Sequence, residues 1–470
     1  MSPEDRAGLP ARQAALAALL RIEQSGAWVT RLDPSAAGAL DPRQRRQATD
    51  YVAGITRQHR WFDFLIGCFY HGQAQDLEPE VRQVLRLALY DLLIAGRPAH
   101  AAVSQAVELV RLSRPRAAGL VNAILRATLR ALADGLPEPG SGDLAADLAI
   151  RQSHPDWLVR RWLARFGELE TRALLDWNNA RPLQTLRVNP LRADRDMIGA
   201  ELDRLGLPWQ PGRWLDDALR LRRLQGALAS GLVSRGWCAV QDEAAALVVR
   251  VLDPQPGERI IDGCAAPGGK ALYAAGLMGD RGTVLAVDRH PKRLALLEAA
   301  AERQGIHCVR TWAGDLRALS TARDADGRPL DEPADRVLLD APCSGTGVLA
   351  KRADLRWQRS PESLAQLTAL QDSLLDAAAE RLRPGGLLVY ATCSLEPEEN
   401  GHRVAAFLER RRDFRLEPLG ALLSFELQDA AGCFESLPQR QGMDGAFAAR
   451  LRRSDAPPAA LLTANPKDPT

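Results

Sequence analysis

The sequence is poor in the features that would tie a chain to a membrane, a disulfide framework or a metal cluster. No stretch resembles the roughly 20 apolar residues of a membrane span, and the start, MSPEDRAGLP, lacks the basic and then apolar order of a secretory signal. The seven cysteines are scattered without a CxxC pair, and the seven histidines are equally dispersed. We therefore expect a cytoplasmic protein with neither membrane nor metal partner, and nothing demands a second chain, so a monomer is expected.

Lysine is also scarce, because only four of the 61 basic residues are lysines, as a GC-rich coding sequence would produce. The net charge of +2 by itself says little about nucleic-acid binding, but the charged residues are distributed unevenly along the chain. Residues 1–130 hold 17 Arg against 12 Asp plus Glu, whereas the rest of the chain carries a small acidic excess. A basic N-terminal region is the distribution expected where a protein contacts nucleic acid.

The length of 470 residues exceeds what one hydrophobic core usually serves, so two or three domains are expected. Residues 1–142 predict an all-α domain, because EPEVRQVLRLALYDLLIAG and GLVNAILRATLRAL repeat apolar residues at helical spacing. The second of these segments puts five apolar residues on one predicted buried face: Val121, Ile124, Leu125, Leu129 and Leu132. The turn-rich stretch ADGLPEPGSGD then marks a domain boundary.

The rest of the chain predicts two further domains and a tail. Residues 143–235 contain the helical segment SHPDWLVRRWLARFG, the strand TLRVNPL and the helix RDMIGAELDRLG, which indicate a small α+β connector of the ferredoxin-like type. In residues 236–455, five apolar runs alternate with helical stretches: ERIIDGC, GTVLAVD, HCVRTWAGD, ADRVLLDAPC and GGLLVYATC. Such strands predict a doubly wound parallel sheet that binds ligands at its carboxyl edge. Residues 456–470 are predicted to be disordered.

The segment ERIIDGCAAPGGKALYAAGLM is the predicted ligand loop, because it reads as strand, small-residue loop and helix. Small residues let backbone N–H groups approach a ligand at the positive end of the helix. Asp288 closes the next strand, where a carboxylate can accept both hydroxyls of a ribose. Because the loop lacks the GxxxxGK[ST] spacing, a nucleoside without a phosphate chain fits better than a triphosphate. Lys270 stands out in an arginine-biased chain and indicates a need for a compact ammonium.

Four motifs together resemble the Sun family of RNA cytosine-5 methyltransferases: CAAPGGK (264–270), DAPCSGTG (340–347), TCS (392–394) and QGMDGAFAARL (441–451). In the N-terminal half, DPRQRRQATDYVAGITRQHRWFD and GLVNAILR resemble the helical domain of transcription antitermination factor NusB. The combination is similar to the bacterial members of the family that act on 16S ribosomal RNA. The resemblance implies a NusB-like RNA-binding domain, a Rossmann-like class I methyltransferase domain, S-adenosyl-L-methionine as methyl donor, and 16S ribosomal RNA or an assembling small subunit as partner.

The same resemblance implies the roles of individual residues. One loop would cradle the methionine part of the donor: Cys264, Ala265, Ala266, Pro267, Gly268, Gly269 and Lys270. Asp288 would hold the ribose and Asp315 would lie near the adenine. Asp340 would lie between the donor and the target base.

Two cysteines, Cys343 and Cys393, follow the carboxyl ends of two predicted strands. Carbon 5 of cytosine is too weak a nucleophile to take a methyl group from a sulfonium, and a thiolate added to carbon 6 makes it reactive. A second thiol can help to release the enzyme from its RNA. From the residues alone either cysteine can be the nucleophile, since enzymes that methylate DNA cytosine use a Pro-Cys pair such as Pro342-Cys343. The family resemblance implies that Cys393 attacks and Cys343 assists release, with Lys270 favouring the ionised thiol.

A cytosine attacked on its face must be single-stranded or flipped out of a helix. Four arginines of the helical domain are candidates for phosphate contacts, with ordinary solvated faces as an equal alternative: Arg114, Arg116, Arg126 and Arg130. Two other interpretations stay open, namely the same chemistry on transfer RNA, and a noncatalytic RNA-binding assembly factor that keeps the cofactor fold. The motif cysteines and CAAPGGK disfavour the second of these.

Overall fold

The described part of the chain, in a computed structural model, is residues 9–25, 40–324 and 326–455. It forms two compact units. The first contains the residues up to Ala180 together with Leu349–Arg359, and the second contains Arg181–Val348 and the residues from Ser360 onward. The predicted tail, residues 456–470, lies outside the described residues, and the domain boundaries at 142 and 235 stay predictions. Among the described helices, none has both the length and the apolar character needed to cross a membrane.

The first unit is helical, as predicted. Its helices are α1 (Leu9–Ser25), α2 (Pro42–Phe69), α3 (Pro79–Leu93), α4 (Ala99–Ser113), α5 (Ala118–Asp134), α6 (Leu144–Arg151) and α7 (Asp156–Asn179), with one further turn at Leu355–Gln358. A capping box begins α2, where the Asp41 carboxylate accepts from the backbone N–H of Gln44, whose side chain accepts from the N–H of Asp41 in return. Helix α7 is interrupted at Gly167, whose φ of 75° is a backbone conformation that glycine adopts readily.

The predicted buried face of α5 is confirmed for its first turns and wrong at its end. Val121, Ile124 and Leu125 are buried, but Leu132 is 44% exposed. Helical spacing defines one face of a helix, but burial of that face also requires a neighbouring element that covers it. The last turn of α5 is exposed except for the half-buried Ala131.

A buried ion pair joins α1 to α3 inside the first unit. Nε of Arg12 donates to the Asp91 carboxylate at 3.1 Å, and the Tyr51 hydroxyl donates to the same carboxylate at 2.8 Å. Arg12 and Asp91 are 2% and 1% exposed. Burial and the neighbouring Asp91 charge raise the pKa of Tyr51, which keeps its hydroxyl a donor.

We expect Asp91→Ala to lower the free energy of unfolding by about 3–5 kcal/mol, because it removes the buried carboxylate that neutralises the Arg12 charge. Urea denaturation followed by circular dichroism measures the change. Arg97→Ala is the matched control, since Arg97 also pairs with Asp91 at 3.0 Å but its side chain is 43% exposed, so its loss should cost under about 1 kcal/mol. Equal effects of the two substitutions would contradict this account.

The second unit begins with a small antiparallel sheet. Its elements are β1 (Gln184–Val188), α8 (Arg195–Arg204), β2 (Trp209–Pro211), β3 (Ala218–Leu221), α9 (Gln225–Ala229) and β4 (Cys238–Val240). The strand order is β2-β3-β1-β4, and every neighbouring pair is antiparallel. The strand predicted at TLRVNPL and the helix predicted at RDMIGAELDRLG are both confirmed.

The larger sheet contains the five strands predicted from the apolar runs. Its elements are α10 (Glu243–Leu252), β5 (Arg259–Asp262), α11 (Gly269–Leu277), β6 (Thr283–Asp288), α12 (Pro291–Gln304), β7 (Val309–Ala313), β8 (Ala334–Asp340), α13 (Pro361–Ala379), β9 (Leu382–Thr392), α14 (Gly401–Arg410), β10 (Phe414–Leu416), β11 (Phe434–Ser436), α15 (Pro438–Gln441) and β12 (Ala446–Arg453). The order is β10-β12-β9-β8-β5-β6-β7, with β11 paired to β12. Strands β5 to β9 are mutually parallel.

The sheet is mixed rather than purely parallel, which corrects the sequence prediction. The motif QGMDGAFAARL forms part of β12, which pairs antiparallel with β9. Side chains alternate between two cores on opposite faces, since Ile260 and Leu338 belong to one core and Ile261 and Leu339 to the other. Because both faces are covered, the carboxyl ends of the parallel strands are left as the place where a ligand can bind.

Candidate active site

The carboxyl ends of β5, β6, β8 and β9 bring the predicted site residues together along one edge of the larger sheet. Strands β5, β6 and β8 each end on an aspartate, namely Asp262, Asp288 and Asp340. Strand β9 ends at Thr392, directly before Cys393. These strands are parallel neighbours in the order β9-β8-β5-β6, so the residues that follow them lie side by side.

The ligand loop connects β5 to α11 and is held closely against the next strand. Gly268 precedes the helix with a φ of 105°, and a Cβ there would come within 2.4 Å of the Leu297 side chain, so glycine is required. The N–H of Ala266 donates to the Asp288 carboxylate at 3.1 Å, and the N–H of His290 donates to its other oxygen at 2.9 Å. A carboxylate has about four acceptor positions, so Asp288 can fix the loop and still accept from two further hydroxyls.

Lys270 lies in the first turn of α11 and forms an ion pair with Asp340 across the edge of the sheet. Its Nζ is 2.7 Å from the Asp340 carboxylate. Burial is the largest single cause and lowers the pKa of Lys270, but the charge of Asp340, its hydrogen bond and the charges of Cys393 and Asp262 together outweigh burial, so the net shift is upward. The ammonium therefore stays charged next to the cysteines that follow β8 and β9.

The two motif cysteines meet, with the Sγ atoms of Cys343 and Cys393 3.4 Å apart, and both are free thiols. The hydrogen bond with Cys393, followed by burial, raises the pKa of Cys343 well above its ordinary value. Burial, together with the Asp262 charge, also raises the pKa of Cys264 in the ligand loop. Cys343 is thus a protonated thiol that can donate to the sulfur of Cys393.

The segments that carry the two cysteines are tied to each other and to the QGMDGAFAARL motif. The N–H of Gly347 donates to the carbonyl of Cys393 at 3.0 Å, and the N–H of Gly445 donates to the carbonyl of Gly347 at 2.8 Å. A Cβ at Gly347 would come within 2.4 Å of the backbone oxygen of Gly445. This close backbone approach explains why the second and fourth motifs both contain glycine here.

Two buried carboxylates of the site were missed by sequence reasoning. Asp262 is 1% exposed, and burial and then the Asp340 charge raise its pKa to about 7. Glu399 is fully buried and accepts three hydrogen bonds, two of them from Ser344. Asp262 ends the predicted strand in ERIIDGC, and Glu399 lies in TCSLEPEEN after another predicted strand. Acidic residues at such positions are usually exposed, and only packing reveals their burial.

Asp315 follows β7, next to the strand that ends at Asp288. Its carboxylate accepts from the backbone N–H of Arg317 at 3.0 Å and forms an ion pair with the guanidinium of the same residue at 2.7 Å. The contact with the guanidinium is the main cause that lowers the pKa of Asp315 to about 2. The predicted RNA-contacting arginines belong to the first unit, where Arg114 forms ion pairs with Glu78 and Glu80. The other three are exposed: Arg116, Arg126 and Arg130.

The strand order, the glycine loop after the first parallel strand and the acidic residue that ends the second define a Rossmann-like α/β domain. Comparison with known proteins agrees with this class. The solved structure of PH0851 covers 95% of this chain and 98% of its own, with a TM-score of 0.78 and 27% identity. A methyltransferase homologue from Pyrococcus horikoshii covers 67% of this chain and all of its own, with a TM-score of 0.57 and 27% identity.

Family models match three segments of the chain. The family model for 16S rRNA methyltransferase RsmB/F matches residues 249–452, the NusB family matches 9–130, and the ferredoxin-like domain of RsmF/B-like methyltransferases matches 154–226. A probable ribosomal RNA small subunit methyltransferase B from Synechocystis is 36% identical over 88% of this chain and 92% of its own length. A protein of the same description from Bacillus subtilis is 33% identical over 94% and 98%.

The chain therefore belongs to the RsmB/F family of 16S ribosomal RNA methyltransferases. The resemblance to NusB and to the Sun family is confirmed, and so is the predicted combination of a helical domain, a small ferredoxin-like domain and a Rossmann-like α/β domain.

Proposed function

We propose that this ribosomal RNA methyltransferase transfers a methyl group from S-adenosyl-L-methionine to carbon 5 of a specific cytosine in 16S ribosomal RNA, through a covalent bond between Cys393 and the base. The observation that carries the proposal is the pair of free thiols, 3.4 Å apart, at the same sheet edge as the Lys270–Asp340 ion pair. Methyl transfer to an exocyclic amine or a ribose hydroxyl needs no thiol, whereas carbon 5 of a pyrimidine must first be activated by a nucleophile.

The residues of the ligand loop and the neighbouring strand end fit a methionine-linked nucleoside. The Asp288 carboxylate keeps two acceptor positions for ribose hydroxyls, and the loop is fixed beside it by the N–H of Ala266 and by the packing of Leu297 against Gly268. We assign the methionine part to residues 264–270 and the adenine to the neighbourhood of Asp315. When bound, S-adenosyl-L-methionine supplies an electrophilic methyl group on a sulfonium.

The reaction begins at the thiolate of Cys393, which adds to carbon 6 and places an electron pair on carbon 5. Lys270 is a cation near this sulfur. Asp340, held by Lys270, contacts the ring and orients it, and the positive charge of Lys270 stabilises the negative charge that develops there. Carbon 5 would then take the methyl group from the sulfonium of the donor, whose carbon–sulfur bond breaks and leaves its electrons on that sulfur.

Release requires three changes in the adduct. The proton on carbon 5 leaves to a base, its bonding electrons restore the ring double bond, and the bond between carbon 6 and the sulfur of Cys393 breaks. Cys343 is a protonated thiol 3.4 Å from that sulfur, so its S–H can stabilise the departing thiolate by a hydrogen bond.

The cytosine must be unstacked to receive the thiol on its face, so the target is single-stranded or flipped. We infer that the exposed arginines of the helical unit contact RNA phosphates: Arg116, Arg126 and Arg130. Arg114 is a weaker candidate because two glutamates already neutralise it.

A tritiated methyl transfer assay with purified RNA tests the proposal. We expect label to enter naked 16S ribosomal RNA or partly assembled small subunits and not transfer RNA, and bisulfite sequencing of ribosomal RNA from cells without the protein should lose one methylcytosine. Labelling of transfer RNA, with no loss of methylcytosine from ribosomal RNA, would show that transfer RNA is the substrate. Binding of RNA without any labelling would favour a noncatalytic assembly factor.

A further inference from the structure

Glu399 joins the two segments that carry the motif cysteines. Its Oε1 accepts from the backbone N–H of Ser344 at 2.8 Å and from the side-chain amide of Gln371 at 3.0 Å. Its Oε2 accepts from the hydroxyl of Ser344 at 2.5 Å. Glu399 lies six residues after Cys393, whereas Ser344 directly follows Cys343. One side chain therefore connects the loop after β8 to the loop after β9.

These contacts are strong because Glu399 is fully buried and, within the described residues, forms no ion pair with a cation. A buried carboxylate without a counter-ion depends on neutral donors, and hydrogen bonds to a charged acceptor are shorter and stronger than those between neutral groups. Gln371 donates from α13 and also reaches the carbonyl of Pro342 at 2.9 Å. The loop that carries Cys343 is thus held on both sides of the cysteine.

The same charge affects the thiol directly. Several causes raise the pKa of Cys343. The largest is the hydrogen bond with Cys393, and burial, the charge of Cys393 and the charge of Glu399 come next in order of size. A fixed negative charge near a thiol disfavours its ionisation. Glu399 therefore holds Cys343 in place and favours its protonated form.

We propose that Glu399 is a positioning residue for product release, which holds the Cys343 thiol against the sulfur of Cys393 so that it can donate to the departing thiolate. The inference rests on the proposed function, since it concerns the step in which the carbon–sulfur bond breaks. Glu399 does not touch the RNA or the methyl donor in this role and acts only through the loop of Cys343.

The variant Glu399→Gln tests this role, because it keeps the size of the side chain and removes its charge. We expect the adduct with 16S ribosomal RNA to form at a rate within about threefold of the unmodified protein, and its release to slow by about tenfold to a hundredfold, the range for loss of hydrogen bonds to a charged acceptor. The value of kcat then falls while KM is unchanged, and the denatured enzyme migrates on gels with RNA attached. Combining the variant with Cys343→Ala should slow release no further than Cys343→Ala alone.

Tyr390→Phe is the matched control, since the Tyr390 hydroxyl donates at 2.6 Å to the backbone carbonyl of Glu399 and not to its carboxylate. It should release product normally. Should Glu399→Gln fail to fold, as judged by circular dichroism, Ser344→Ala removes the hydroxyl contact with Glu399, together with the contacts of that hydroxyl with Ser394 and Thr346, and should also accumulate adduct. Normal release in the folded variant overturns the inference, and so does failure to form the adduct. Absence of both adduct and methylation in the unmodified protein would instead overturn the proposed function.

Discussion

We expect Cys393→Ala to abolish methyl transfer and to end covalent capture by RNA that contains 5-fluorocytosine. The substitution removes the atom that bonds to carbon 6, and without that bond carbon 5 has no electron pair to offer. The expected loss is on the order of 10⁴-fold or more in single-turnover rate, as for other enzymes deprived of their nucleophile. Tritium incorporation into 16S ribosomal RNA measures the rate, and a denaturing gel measures the trapped complex.

Cys308→Ala is the matched control for this prediction. Cys308 is a half-buried thiol directly before β7, far along the chain from both motif cysteines, and its pKa is raised to about 12 by burial. Its replacement should leave methylation and trapping unchanged. If Cys393→Ala still trapped 5-fluorocytosine RNA while Cys343→Ala did not, the nucleophile would be Cys343, the choice that the Pro-Cys pair alone leaves open.

We expect Cys343→Ala to produce an enzyme that completes one methyl transfer and stays attached to its RNA. The Cys393 thiolate is still available for attack, so single-turnover methylation should remain within about tenfold of the unmodified protein. Release loses the S–H donor 3.4 Å from the departing sulfur, and multiple turnover should fall by about a hundredfold or more. A time course with excess RNA shows this as a burst of one methyl group per enzyme followed by a near-zero steady state.

A gel after the burst should show the Cys343→Ala protein bound covalently to ordinary cytosine RNA, without the fluorinated base. Cys343→Ser is an informative companion, because a hydroxyl can still donate to a thiolate and should restore part of the turnover. Full multiple turnover by Cys343→Ala would contradict a release role, and loss of the burst would show that Cys343 also acts before methyl transfer.

Much of the fold followed from local patterns. The apolar runs predicted β5 to β9 because a parallel strand covered on both faces must be apolar on both sides, and that requirement is visible in a single stretch of chain. The antiparallel strand β12 was not predicted, although its residues were quoted as a motif, because AFAARL mixes small, apolar and charged residues without a clear period. Leu132 shows the reverse error, since a correct helical face still needs a neighbour to cover it.

The sequence by itself determined which chemistry is available to this protein. A thiol, a lysine in an arginine-biased chain and a glycine loop are present or absent whatever the fold, and the resemblance of their motifs to a known family was enough to predict a methyl donor and a covalent mechanism. Only the tertiary structure decided which groups act on each other. The structure brings together pairs of residues that are distant in the sequence. Cys343 and Cys393 are 50 positions apart, Lys270 and Asp340 are 70 apart, and Glu399 is 55 from Ser344. The distances between these groups decide which of them can interact, and their removal from water shifts their pKa values. Both effects arise only when the strand ends meet at one edge of the sheet.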